Sequence, residues 1–213
     1  LINQFKSILN YLEENPDEFE RDGVLFQERQ SNPRFINFLR EACFKLHTHN
    51  KVKILDVGGG MASLYRMHEK DITRFFPNHN WYINEQEQIV KICKSSSLLK
   101  NVDFIDSLDN IAKEIDIIIF SSSLQYLENV SSLLHITSQL KPAYIWIDRT
   151  PISPTSPGTY TQFNILNKAI SSYPCHVFTI EQLMENLNSS YKIISKELCE
   201  EKVQVSKNNI VNY

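Results

Sequence analysis

Asp56, Gly58, Gly59 and Gly60 are the residues of this sequence whose types and spacing bear most directly on chemistry. Residues 53–63 read Lys-Ile-Leu-Asp-Val-Gly-Gly-Gly-Met-Ala-Ser, an apolar run that ends in consecutive glycines where helical spacing begins. A strand, a tight turn and a helix start in that order present backbone N–H groups and a partial positive charge, a cradle for an anionic group. Asp56, two residues before the first glycine, adds a carboxylate behind the turn. A nucleotide-hydrolysing P-loop is disfavoured, because the residues after Gly60 contain no Lys followed by Ser or Thr. A dinucleotide turn wants a third glycine where Ser63 stands and an acidic residue about 20 positions on, and Glu85 comes later than that.

Other reactive side chains fall just beyond apolar runs, where a parallel sheet places its ligands. Glu85 follows the run 81–84, Asp106 and Ser107 follow 102–105, Ser121 and Ser122 follow 115–120, and Asp148 and Arg149 follow 144–147. Two readings stand for Asp148 and Arg149: a pair that orients or activates an acceptor, and an ion pair that ties down a loop. Asp106-Ser107 serves equally as a ligand contact and as a helix cap. His176 follows Tyr173-Pro174 and is a candidate general base beside a plain structural role. No spacing of His, Cys, Asp or Glu implies a metal.

The elements that position these residues follow from the hydrophobic pattern. From residue 51 apolar runs alternate with helical spacing, which predicts crossover connections and a parallel sheet. The strands are 52–57, 81–84, 102–105, 115–120 and 144–147. Helical stripes follow at Leu64, Tyr65, Met67, His68, Ile72 and Phe75, then at Ile89, Val90, Ile92 and Cys93, then at Val130, Leu133, Leu134, Ile136 and Leu140. Upstream, Phe5, Ile8, Leu9 and Leu12 predict a helix broken at Asn15-Pro16-Asp17. Residues 21–26 read as turn and irregular chain, and a second helix starts at Ser31 or Asn32 with Pro33 in its first turn.

Four of the eight prolines lie between Pro151 and Pro174, which predicts a long loop or lid with at most a short helix over 163–170. Thr179 and Gln182 have capping-box spacing for one more helix. Residues 191–198 and 203–211 read as a closing strand pair. The expected architecture is α/β, a mostly parallel central sheet of about seven strands with helices on both faces. Residues 1–50 form an N-terminal helical extension, and 51–213 form the main domain of a chain that is a single domain overall.

At 213 residues, 42% hydrophobic and 22% charged, the chain is long enough for one real core and is neither disordered nor coiled coil. A net charge of −3 without clustered Lys and Arg argues against nucleic acid as a partner. Cys43, Cys93, Cys175 and Cys199 stand far apart, form no C-x-x-C pair and fit a reducing, cytoplasmic setting. No run reaches the roughly 18 apolar residues of a membrane span. Beginning at Leu1 rather than Met, the sequence reads as a chain without its natural start.

The segment around Asp56 resembles motif I of the Rossmann-like, class I S-adenosylmethionine (SAM)-dependent methyltransferases, an acidic residue followed by x-G-x-G-x-G. Asp56, Gly58 and Gly60 match, Gly59 falls between them, and Ala62 replaces the last glycine. The resemblance implies SAM as cofactor, with Asp56 favouring its ammonium and backbone N–H groups of the turn meeting its carboxylate. It implies that Glu85 accepts the ribose hydroxyls, that Asp106 and Ser107 border the adenine, and that Ser121 and Ser122 pass beside the methionine portion. Leu-Gln-Tyr-Leu at 124–127, Ile-Asp-Arg-Thr-Pro at 147–151 and Tyr-Pro-Cys-His at 173–176 are similar to a methyltransferase family often encoded among bacterial surface-polysaccharide genes. That implies O-methylation of a small-molecule or carbohydrate-linked acceptor, with Asp148, Arg149 and His176 as catalytic candidates. The alternatives are a non-catalytic SAM-binding or partner subunit and, on the same glycines, an NAD-dependent oxidoreductase.

Overall fold

The apolar runs between residues 51 and 148 become strands of one sheet, as expected of segments that can be covered on both faces. The computed structural model describes residues 2–21, 23–46, 51–111, 114–166, 169–187, 191–199, 202–206 and 209–212. In chain order the elements are α1 (Ile2–Glu14), β1 (Phe19–Arg21), β2 (Val24–Phe26), α2 (Pro33–Leu46), β3 (Val52–Val57), α3 (Ser63–Phe75), β4 (His79–Asn84), α4 (Glu87–Lys94), β5 (Asp103–Ile105) and β6 (Ile117–Ser121). These are followed by α5 (Val130–Gln139), β7 (Tyr144–Asp148), β8 (Gly158–Leu166), β9 (Ala169–Val177), α6 (Ile180–Asn186), β10 (Lys202–Ser206) and β11 (Asn209–Asn212).

The central sheet has five strands in the order β5-β4-β3-β6-β7. β3 pairs in parallel with β4 and with β6, and β4 pairs in parallel with β5. Ile54, Leu55, Ile117, Ile118, Ile119 and Phe120 are wholly buried. Register between β3 and β6 is fixed where the Lys53 N–H donates to Asp116 Oδ2 at 2.8 Å and the Asp116 N–H returns to the Lys53 carbonyl at 2.9 Å.

The chain forms two compact units, Leu1–Ile119 with Pro142–Ile145, and Phe120–Lys141 with Trp146–Tyr213. In the first, α1 ends at the Asn15-Pro16 break and buries Ile8, Leu9 and Leu12. Asn32 caps α2, its Oδ1 accepting the Phe35 N–H at 3.2 Å, so Pro33 leads the helix without losing a needed donor. Phe35 of α2 meets His68 of α3, and Phe38 meets Tyr144 edge-on. The stretch expected to be turn and irregular chain instead includes strand: Arg21 ends β1, and β2 over Val24–Phe26 pairs antiparallel with it. Gly23, with φ of 79°, makes the turn between them.

The second unit departs further from the sequence pattern. Residues 158–166 and 169–177 form the antiparallel pair β8 and β9, not a loop or a short helix. Pro151, Pro154 and Pro157 all precede β8, and alternating Thr159, Thr161 and Phe163 favour an extended chain. Pro174 is tolerated because the ribbon has only two strands, each an edge. Residues 191–198 carry no regular structure and leave Ile193, Ile194 and Leu198 exposed. The expected closing pair is replaced by β10 and β11, which pair with each other. Together they span the stretch predicted as a single run over 203–211, each extending one residue beyond it. Because both ribbons pair internally, the sheet has five strands among the described residues where the pattern predicts about seven. The capping box forms: Thr179 Oγ1 accepts the Gln182 N–H at 3.1 Å, and Gln182 Oε1 accepts the Thr179 N–H at 2.9 Å.

Candidate functional site

The glycine turn in the first unit begins as an extension of the sheet, the Gly58 N–H donating to the Asn84 carbonyl at 2.9 Å. Gly58 and Gly60 have φ of 73° and 57°, left-handed conformations in which a side chain is strained. Gly59 is required for a different reason. A Cβ there would lie 2.7 Å from both Cγ and Oδ2 of Asp56, so the turn folds directly over that carboxylate.

Asp56 is 1% exposed, and its Oδ2 has no hydrogen-bond partner among the described groups. Burial, and then the nearby charge of Glu85, push its carboxyl from 3.8 up to about 7. The indole N–H of Trp81 pulls it partly back. An orphaned buried carboxylate oxygen is a costly feature that a donor or a cation would relieve.

Glu85 spans the mouth of the turn. Its Oε2 accepts the Gly60 N–H at 3.2 Å and its Oε1 accepts the Gln86 N–H at 2.9 Å, just before α4. The expected anion cradle is thus met by the chain's own carboxylate, which a helix N-terminus favours as it would any anion. With Asp56 behind it, the turn is electronegative and suits a cationic group with hydroxyls better than a pyrophosphate.

Ala62, where the resembled motif has its last glycine, adopts φ 64° and ψ 29° and immediately precedes α3. A residue with a Cβ in that conformation costs about 1–2 kcal/mol. Because the Ala62 methyl is also fully buried, Ala62→Gly sets this relief against lost packing and greater unfolded freedom, and is expected to leave stability within about 1 kcal/mol of the unsubstituted protein. A urea midpoint shifted by more than that in either direction would contradict this.

Ser107 caps the short turn over Leu108–Asn110, its Oγ accepting the Asp109 N–H at 3.2 Å, and Asp106 beside it is exposed. Both follow β5, as predicted, and Ser107 shows the capping role. The first unit also buries a residue the sequence pattern does not single out, Glu20 of β1, at 3% exposure. No motif surrounds it, and nothing short of the β1–β2 pairing marks it as buried.

In the second unit, Ser121 ends β6 and Ser122 follows with φ 57°, while Asp148 ends β7 and Arg149 follows with φ 49°. The Ser122 N–H donates to the Asp148 carbonyl at 2.9 Å. Gln125, fully buried, donates through Nε2 to the Arg149 carbonyl at 3.1 Å. Two non-glycine residues held left-handed side by side at strand ends mark a locally constrained backbone of the kind that concentrates at functional sites. Gln125 was legible only as part of the Leu-Gln-Tyr-Leu motif.

His176 sits on β9 opposite Thr159, whose hydroxyl lies 2.9 Å from its Nδ1. It shares with Phe178 and with Glu128, Asn129, Ser131 and Ser132 at the start of α5 a depression of about 270 Å³. The structure thus brings Asp56, Gly58, Gly59, Gly60 and Glu85 together, and separately Ser122, Asp148 and Arg149; His176 is held by the pair β8 and β9. Among the described residues no three His, Cys, Asp or Glu side chains converge as a metal site requires. No described helix is long and apolar enough to cross a membrane.

A parallel α/β sheet with an acidic residue and a glycine turn at the end of β3 defines a Rossmann-like α/β fold. Among solved structures the chain is similar to an S-adenosylmethionine-dependent methyltransferase from Clostridium acetobutylicum ATCC 824, with TM-score 0.50 and 14% identity over 86% of this chain and 91% of that one. It is also similar to SAM-bound CalS10, an amino pentose methyltransferase from Micromonospora echinaspora involved in calicheamicin biosynthesis, with TM-score 0.45 and 12% identity over 72% of this chain and 78% of that one. A third, the YcgJ protein from Bacillus subtilis, gives TM-score 0.42 and 12% identity over 58% of this chain, which spans only 54% of its length. At 14% identity the likeness to the first of these is one of fold. No family model matches the sequence, and no curated protein matches it.

Proposed function

We propose that the protein is a SAM-dependent methyltransferase acting on a small-molecule or carbohydrate-linked acceptor. The observation that carries the reading is the glycine turn folded over the buried Asp56 carboxylate, with a second carboxylate, Glu85, at its mouth. Asp56 has an unpartnered oxygen for an ammonium group, and Glu85 has acceptor capacity beyond its two backbone bonds for a pair of hydroxyls. Asp106 and Ser107, past the end of β5, would border the adenine. Ser121 and Ser122 would stand beside the methionine portion. The same two carboxylates oppose a pyrophosphate, which weakens the nicotinamide alternative.

When bound, SAM supplies an electrophilic methyl group on a sulfonium, and its departure leaves a neutral thioether. The chain's own tasks are then to orient the acceptor, exclude water and, for a hydroxyl acceptor, take up its proton. Of the two candidate bases, His176 is better supported than Asp148. Its Nδ1 lies 2.9 Å from the Thr159 hydroxyl; in the tautomer whose Nδ1–H donates to that hydroxyl, Nε2 is the proton acceptor, and the ring lines a depression large enough for part of a small ligand. Arg149 would orient an acidic or hydroxyl-rich acceptor. An acceptor from bacterial surface-glycan synthesis, methylated at oxygen, is supported by the motifs at 124–127, 147–151 and 173–176.

Titration calorimetry with SAM and S-adenosylhomocysteine tests the cofactor reading, and binding of neither would sink it. Transfer of labelled methyl to a panel of glycan precursors tests the rest. Cofactor binding with no acceptor methylated would favour the non-catalytic alternative.

A further inference from the structure

Helix α3 begins without a cap of its own. Ala62, immediately before it, offers no side-chain acceptor, although the first-turn N–H groups and dipole of a helix call for one. The carboxylate that reaches this end comes from the N-terminal ribbon. Glu20 Oε2 accepts the Ser63 hydroxyl at 2.7 Å, and its Oε1 accepts the Gly23 N–H at 2.8 Å across the β1–β2 turn. Burying a carboxylate to 3% exposure costs stability unless such bonds hold it.

The ribbon is fastened to the next turn of α3 as well. Arg66 donates to the Glu18 carbonyl at 2.9 Å and to the Pro16 carbonyl at 3.3 Å, and its guanidinium carbon lies 5.9 Å from the centre of the Phe19 ring. The thiol of Cys93 on α4 is pushed up to about 12 by burial, then by the charges of Glu85 and Glu20, in keeping with both carboxylates facing one region beside the glycine turn.

We infer that Glu20 is a positioning residue of the cofactor site, tethering the first residue of α3 to the N-terminal ribbon through the Ser63 hydroxyl and thereby holding Ser63, Ala62 and the glycine turn in the geometry that presents Gly60 to Glu85. The inference rests on the reading of that turn as a SAM site. It makes β1 and β2 working parts of the site, though neither carries a recognisable motif. Glu20 touches no reacting atom; it acts through Ser63.

The test is S-adenosylhomocysteine affinity, by calorimetry on the full chain, for Glu20→Ala, Glu20→Gln, Ser63→Ala and the double substitution E20A/S63A. Glu13→Ala serves as control: Glu13 is another anchor of the extension, accepting the Ser96 hydroxyl and the Ser97 N–H at 2.7 Å each. E20A and S63A are each expected to weaken binding about tenfold, the scale of one charge-assisted hydrogen bond. The double substitution is expected to be no weaker than E20A, because both singles remove the same contact. E20Q, which keeps an acceptor for Ser63, recovers most of the affinity, and E13A binds as the unsubstituted protein does.

Affinities of E20A and S63A within about twofold of the unsubstituted protein overturn the inference. So does an equal loss in E13A, which would show general destabilisation. If E20A does not fold, S63A and E20Q decide the matter. Failure of the unsubstituted protein to bind overturns the cofactor reading itself, whereas normal binding that ignores Glu20 overturns this inference alone.

Discussion

Replacing Asp56 by Asn is expected to make the ligand-free protein more stable above neutral pH while abolishing its affinity for S-adenosylhomocysteine. The folded carboxyl, at about 7, lies above its ordinary 3.8, so between those values the folded protein keeps a proton that the unfolded chain has released. The resulting stability is fully present below the unfolded value, declines as pH rises through the window and is gone above about 7. The whole difference is on the order of 4 kcal/mol. Asn has no proton to lose, so the Asp56→Asn curve lacks this decline, and near pH 8 its melting temperature stands roughly 10 °C above that of the unsubstituted protein. Thermal unfolding from about pH 4 to pH 8 reads this directly. Parallel curves for the two proteins would refute it. A cationic ligand should also expel the proton. Affinity then rises with pH up to about 7, and calorimetry in buffers of different ionisation enthalpy detects the release.

The second large effect is expected at Gly59. An added methyl would overlap the Asp56 carboxylate at 2.7 Å, too close for any real Cβ, and that carboxylate is buried among β3 and β4 rather than at the end of a flexible chain. Backbone must move, at a cost of about 1–3 kcal/mol in stability and with loss of the geometry that presents the turn to a ligand. Gly59→Ala is therefore expected to bind no S-adenosylhomocysteine at concentrations that saturate the unsubstituted protein. Gly60→Ala provides the contrast. It meets nothing within 4 Å and is strained only by its φ of 57°, so it loses about 1–2 kcal/mol without steric collapse over Asp56. Equal cofactor affinities for G59A and the unsubstituted protein would show that the turn is not the ligand's seat.

How far the sequence anticipated this molecule depended on whether the relevant contacts were local. Asp56, the glycines and Glu85 were legible because strand, turn and following carboxylate succeed one another in a fixed order, and helices α1 and α2 because breaks and caps bound them. Thr179 and Gln182 announced a capping box four residues wide. The pair of β8 and β9 was hidden by proline, a residue that signals loop when counted and strand boundary when placed: three of the four stand ahead of β8. The closing pair differs because 203–211 reads as one continuous run by its apolar spacing, whereas the fold divides that stretch between β10 and β11. Glu20 could not be found at all, since its significance lies in Ser63, 43 positions away.

The reciprocal bonds between Lys53 and Asp116 have a consequence for how the chain reaches its fold. They close a loop of 63 residues, and β3, the central strand, has β4 on one side only until β6 arrives. Closure over that distance is an entropic toll met before native pairing returns any energy, which slows folding in proteins rich in distant contacts. During synthesis, β3 must therefore wait with one edge unpaired until some 60 further residues have left the ribosome, and that interval is when the nascent chain is most exposed to mispairing.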